Sequence, residues 1–92
     1  MTGATKLLGE AMKALELTEE DLQNLGAGTP EKAVLAWWLR RQSSVPLRWV
    51  AERLQMGHYT RVNQAVSRVN RGKGRKLAAM RKRLMARQKS ET

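Results

Sequence analysis

VPLRWVAERLQMGHYTRVNQAV, residues 45–66, is the main basis for the fold predicted for this chain. Its first half places four apolar residues at spacing i, i+3, i+4 and i+7, the pattern of one helix face: Leu47, Val50, Ala51 and Leu54. Met56-Gly57-His58 then interrupts the pattern, and Gly57 can adopt the positive φ of a tight turn. Valines recur at helical spacing after the turn, with polar side chains between them. The sequence therefore predicts two short helices joined by a turn, a helix-turn-helix.

Helical signals continue on both sides of this stretch. Six helices are predicted: about 4–16, a short one that begins after Thr18, and then 30–42, 45–55, 59–70 and 75–88. The predicted N-caps are Thr18 for the short helix, Thr29 for 30–42, and Ser43 and Ser44 for 45–55. No segment has the alternation of a strand. The predicted fold class is all-α: a single small helical domain of about six helices with a central helix-turn-helix. Trp38 and Trp49 are expected in the core under the N-terminal helices, with Trp37 partly exposed.

Charge is distributed very unevenly along the chain, whose net charge is +10. Residues 1–36 hold three Lys against six acidic residues, whereas residues 37–92 hold fifteen Lys and Arg against two acidic residues. This asymmetry predicts three parts: an acidic N-terminal helical lid (1–28), a helix-turn-helix core (29–70) and a basic C-terminal helix or tail (71–92). The basic part is expected to attract a polyanion.

Several classes of protein are disfavoured by the composition. The chain has no Cys and a single His, so we expect no metal site and no cofactor. No apolar run approaches the roughly 18 residues of a membrane span, and the N-terminus lacks the features of a signal peptide. We therefore expect a cytoplasmic, nucleoid-associated protein that is not an enzyme, has no catalytic residues and does not bind a membrane.

The second helix of the predicted helix-turn-helix has an outer face suited to double-stranded DNA. Asn and Gln can pair bidentately with adenine and Arg with guanine, and the major groove admits one helix. The residues predicted to contact bases are His58, Tyr59, Thr60, Arg61, Asn63 and Gln64. The residues predicted to contact phosphates are Ser44, Arg48, Arg68, Arg71, Lys73, Arg75 and Lys76. For Arg40 and Arg41, phosphate contact and plain solvated charge are equally good interpretations.

Residues 29–66, TPEKAVLAWWLRRQSSVPLRWVAERLQMGHYTRVNQAV, resemble the C-terminal helical segment that follows the catalytic domain in REP-associated tyrosine transposases. The likeness covers about 15–70, and LRWVAERLQMGHYTRV (47–62) carries most of it. The turn and YTRV (59–62) are more weakly similar to the C-terminal helix-turn-helix of the bacterial replication initiator DnaA. Both resemblances imply a DNA-binding module, and the first implies that it is transposon-derived or accessory to a transposase. The nicking chemistry of those transposases is not implied, because it needs a nucleophilic Tyr beside a pair of His.

Two other functions remain open at this point. The first is binding of structured RNA, since basic helical modules also dock on RNA, although a face rich in Asn, Gln and Arg fits a groove better. The second is a protein-interaction module of a nuclease or transposase complex. In that case the C-terminal helix is the surface for a protein partner or for a homodimer.

Overall fold

Six α-helices and no strand make up the described part of the chain, which a computed structural model gives as residues 2–26, 28–72 and 74–90. The helices are α1 (Thr2–Ala14), α2 (Glu19–Asn24), α3 (Pro30–Gln42), α4 (Leu47–Arg53), α5 (Tyr59–Arg71) and α6 (Arg75–Ser90). The predicted all-α fold is therefore confirmed. The helix-turn-helix of the prediction corresponds to α4, the turn at 54–58, and α5.

Helix α3 is the centre of the packing. Each of its side chains from Lys32 to Leu39 is buried, and a helix that is buried on every side must be surrounded by other elements. Helices α1, α4, α5 and α6 all pack against it. Helix α5 also contacts α4 and α6, and α6 contacts α1. The order of the four helices around α3 is therefore α4, α5, α6, α1. Helix α1 therefore packs on α3 and α6.

The outer helices contribute one apolar stripe each, with the spacing of an amphipathic helix. The buried residues of α1 are Ala4, Leu8, Ala11 and Met12, and those of α6 are Leu77, Met80 and Leu84. Helix α5 contributes Val62, Ala65 and Val69. The inner face expected for α5, from valines at helical spacing, is thus confirmed, and the stripes of α1, α5 and α6 close a single core around α3.

The cap predicted at Thr18 is confirmed and is stronger than expected. The hydroxyl of Thr18 accepts the Asp21 amide at 3.1 Å, and the Asp21 carboxylate accepts the Thr18 amide at 2.9 Å. This reciprocal pair is a capping box, which stabilises the first turn of the short helix α2. Thr29 occupies the N-cap of α3 as predicted, but its hydroxyl donates to the Gly26 carbonyl rather than capping the helix.

The prediction that Ser43 and Ser44 cap the next helix is wrong. Ser43 is the C-cap of α3, and its hydroxyl donates to the Leu39 carbonyl at 3.0 Å. Helix α4 begins at Leu47, two residues later than expected, with Pro46 at its N-cap. The reason is that a residue before proline is disfavoured in the helical region, which keeps Val45 outside the helix.

The expected exposure of the tryptophans is also partly wrong. Trp38 is buried as predicted, but Trp37 is buried too, with 6% of its surface exposed. Trp49 is only half-buried against the core. The indole N–H of Trp37 donates to the Asn70 side-chain oxygen at 3.1 Å, so burial leaves it with a partner.

Candidate nucleic-acid interface

The exposed face of α5 follows from the spacing of its apolar residues. Val62, Ala65 and Val69 lie against the core, and Val66 is half-buried beside them. At 3.6 residues per turn, the side chains opposite this stripe are separated by four, three and four positions. They are Thr60, Gln64, Ser67 and Arg71, and all four are exposed. The outermost line of the helix is therefore polar and rich in hydrogen-bonding groups.

One flank of this line carries two arginines beside the segment that joins α2 to α3. Arg61 and Arg68 line a small surface pocket whose other walls include Gly28, Thr29 and Ala33. The Arg68 guanidinium donates to the Gly28 carbonyl at 2.9 Å, which holds the side chain at the surface. Gln64 lines the same pocket, so it lies between this flank and the outermost line.

The opposite flank is formed with the end of α3. Asn63 and Asn70 of α5 line a shallow pocket with Trp37, Arg40 and Arg41. The Arg41 guanidinium lies 5.6 Å from the Trp37 ring centroid, a cation–π distance. Arg40 donates to the Val45 carbonyl at 2.7 Å. A hydrogen bond thus holds Arg40 at the surface and a ring contact holds Arg41 there, and neither interaction neutralises the positive charge.

The first turn of α5 begins with a histidine cap. The Nδ1 atom of His58 accepts the Thr60 amide at 3.2 Å and lies 2.9 Å from the Thr60 hydroxyl. Because Nδ1 is the acceptor, the proton of the neutral ring is on Nε2. The His58 ring also lies against the Tyr59 ring, with centroids 4.4 Å apart. Tyr59 is 44% exposed, the single exposed large hydrophobic side chain in the described ranges.

The residues predicted to contact phosphates lie in different surroundings. Ser44 and Arg48 are exposed before and within α4, and Arg71 and Arg75 are exposed at the end of α5 and the start of α6. Lys76 pairs with Glu31 of α3 at 3.1 Å. Lys73 lies outside the described residues. Thus α5 and its surroundings bring most of the predicted residues together, whereas Lys76 is already engaged with a carboxylate.

The acidic part of the chain neutralises basic residues away from α5. The described residues form three ion pairs, each of which joins one carboxylate from residues 1–36 to one cation from residues 37–92: Glu19–Arg53, Glu31–Lys76 and Glu16–Arg83. The hydrogen bond from Arg53 lowers the pKa of Glu19. Among the described residues, none of these pairs involves the five arginines on or beside α5, which we call the α5 arginines: Arg40, Arg41, Arg61, Arg68 and Arg71. Their positive charge therefore remains uncompensated by a salt bridge.

Two features of the turn before α5 were missed by the sequence reasoning. Gln55 has a positive φ of 54°, and Lys32 of α3 is buried with its ammonium 3.3 Å from the Gln55 carbonyl. A single buried lysine gives no periodic signal, because its methylene chain is compatible with an apolar face. The predicted role of Gly57, in contrast, is confirmed by its φ of +91°.

No groups of three or more potential metal-binding side chains occur in the part of the chain that the structure describes. Within the same part, no helix has the length and apolar character needed to cross a membrane. The chain matches no model of a protein family, and neither the curated proteins nor the solved structures contain a significant match.

Proposed function

We propose that this protein binds double-stranded DNA sequence-specifically, with α5 as the recognition helix in the major groove. The observation that carries the proposal is the position of the α5 arginines: they border the polar outer face of α5 and pair with no carboxylate of the described residues. An α-helix with its side chains is about 10–12 Å across, and the major groove is about 12 Å wide. A helix in that groove has a phosphate backbone on either side, which suits a polar face with arginines at both edges.

The outermost line of α5 is proposed to contact base edges. Thr60 and Gln64 point furthest from the core, and the Gln64 amide can pair bidentately with adenine. His58 at the N-cap, Tyr59 after it and the flanking Asn63 are close enough to the same groove to contribute. Arg40 and Arg41 on one flank, Arg61 and Arg68 on the other, and Arg71 at the end of α5 are assigned to the two phosphate backbones.

The resemblance to transposases extends this proposal. The protein is proposed to be a DNA-binding module derived from a transposase or accessory to one, without catalysis of its own. Its place in the cell is then the nucleoid, because its ligand is there.

The test is selection of duplexes from a random pool, followed by binding measurements on the selected duplex and on a scrambled one. The expected result is a clear preference for the selected duplex that a Gln64→Ala variant loses. Single-stranded or structured RNA is added as competitor. If RNA displaces the duplex at equal concentration, or if no sequence is enriched, the proposal is wrong.

A further inference from the structure

Lys32 is the one charged side chain that is buried among the described residues, with 1% of its surface exposed. It lies in the first turn of α3, whose buried side chains are otherwise all apolar. Its ammonium donates to the backbone carbonyl of Gln55, 3.3 Å away and 23 positions later in the chain. This bond connects the central helix directly to the turn between α4 and α5.

The turn that receives this bond has an unusual backbone. The Met56 amide donates to the Ala51 carbonyl at 2.8 Å and the Gln55 amide to the Glu52 carbonyl at 3.2 Å, which is the pattern of a Schellman motif. The left-handed position of that motif is normally Gly, but here it is Gln55 with φ +54°. A left-handed conformation is strained for a residue with a side chain, so surrounding contacts must hold it.

Lys32 is a poor choice if its only role is to stabilise the core. Burial lowers the pKa of Lys32, because desolvation disfavours its charged form. A protein that has an apolar side chain of similar size in place of a buried charge is often as stable, or more stable. Met or Leu at this position can fill the same space but cannot donate to the Gln55 carbonyl.

We propose that Lys32 is a positioning residue, whose bond to the Gln55 carbonyl holds the strained turn and so fixes the start of α5. The turn ends at His58, the N-cap of α5, and Tyr59 and Thr60 follow it in the first turn of the helix. The consequence for DNA affinity rests on the function proposed above. The consequence for the turn itself does not, and it can be measured without any ligand.

The experiment compares Lys32→Met with Lys13→Met, which removes one charge from an exposed lysine on α1. Amide hydrogen exchange is measured first. In Lys32→Met we expect the Met56 amide to exchange about tenfold faster, as for loss of one charge-assisted hydrogen bond, while the melting temperature is kept or raised. Lys13→Met should leave this amide unchanged. An unchanged Met56 amide in Lys32→Met overturns the inference, whatever the protein binds.

DNA binding is measured next, on a short duplex of mixed sequence between about 50 and 200 mM salt. Lys32→Met should weaken binding about tenfold, yet leave the slope of log affinity against log salt unchanged, because a buried lysine releases no counterion from DNA. A reduced slope means that Lys32 contacts phosphate directly, which contradicts the positioning role. If the wild-type protein does not bind duplex at all, the proposed function fails while the exchange result still decides the inference.

Gln55→Gly provides the rescue, because glycine adopts the left-handed conformation without strain. In the Lys32→Met background it should restore the slow exchange of the Met56 amide and most of the lost affinity. It should have little effect on binding in the wild-type background. If Lys32→Met does not fold, the double variant should fold and bind. A double variant that is also unfolded shows that Lys32 is needed for the core itself, and the positioning role is then refuted.

Discussion

The salt dependence of DNA binding provides the sharpest test of the interface around α5. If all five α5 arginines contact phosphates, the slope of log affinity against log salt should be about −4.5 for B-form DNA. The affinity should then fall about 500-fold between about 50 and 200 mM salt. Five is the number of α5 arginines, which lie on or beside the outer face of α5 and pair with no carboxylate of the described residues.

Single replacements should lower this slope in a position-dependent way. Arg41→Ala removes a cation from the flank next to α3, and Arg68→Ala removes one from the opposite flank. If each side chain contacts one phosphate as proposed, each variant should reduce the slope by about 0.9, and the double variant by about 1.8. Affinity is measured by fluorescence anisotropy with a labelled duplex at several salt concentrations.

Arg83→Ala is the matched control, because it makes the same chemical change in a residue that pairs with Glu16 on the far side of the bundle. Its slope should equal that of the wild type. If Arg83→Ala lowers the slope as much as Arg41→Ala does, binding follows net charge alone. The assignment of phosphate contacts to the two flanks of α5 is then wrong.

Three further predictions concern sequence reading, packing and pH. Gln64→Ala should cost about 1–3 kcal/mol of binding free energy on a selected duplex and much less on a scrambled one. Arg61→Ala, on the flank, should weaken binding to both duplexes. If the two variants lose the same binding free energy on each duplex, the assigned geometry is wrong. Ala51→Leu should destabilise the fold by about 1–3 kcal/mol, because Ala51 is buried in α4, which packs against α5. Chemical denaturation measures this change, and unchanged stability would refute that packing. The pKa of Lys32 is lowered in the folded state, so the unfolded chain binds the Lys32 proton more tightly than the folded chain does. As the pH rises through that lowered pKa, the wild type should therefore gain stability relative to Lys32→Met. Thermal melts of both proteins from neutral to alkaline pH measure this difference, and a constant difference would contradict the sign.

Much of the fold could be predicted because the apolar spacing in this chain is regular. The stripe of α5 is predicted from valines at helical spacing, and these valines are buried or half-buried. The residues that mark where a helix begins are a less reliable guide than the apolar spacing. Thr18 was recognised because an N-cap with acidic residues behind it is a local pattern, whereas Ser43 caps the preceding helix instead of the following one. A serine between two helices carries no information about which of them it serves.

The candidate site was only partly predictable, for a different physical reason. Sequence spacing indicates which side chains of α5 point outward, but it does not indicate what lies beside them. The neighbours of α5 come from distant parts of the chain: Gly28 accepts a bond from Arg68, and Trp37 donates one to Asn70. The pairing of Lys76 with Glu31 is also a long-range contact, and it changes the surroundings of a lysine that was assigned to phosphate.

Two helix ends also differ from the prediction, and one of them lies at the turn before α5. Helices α1 and α4 were expected to end at residues 16 and 55, but they end at Ala14 and Arg53. In both places the residue two positions beyond the helix, Glu16 or Gln55, has a positive φ. Glycine at these positions would have marked the ends in the sequence, and its absence extended both predictions. At Gln55 the left-handed backbone coincides with the bond from buried Lys32. The sequence does not predict the left-handed backbone of Gln55, and this is the position that Lys32 of the central helix holds. Such a contact is expected if the direction of α5 matters for function.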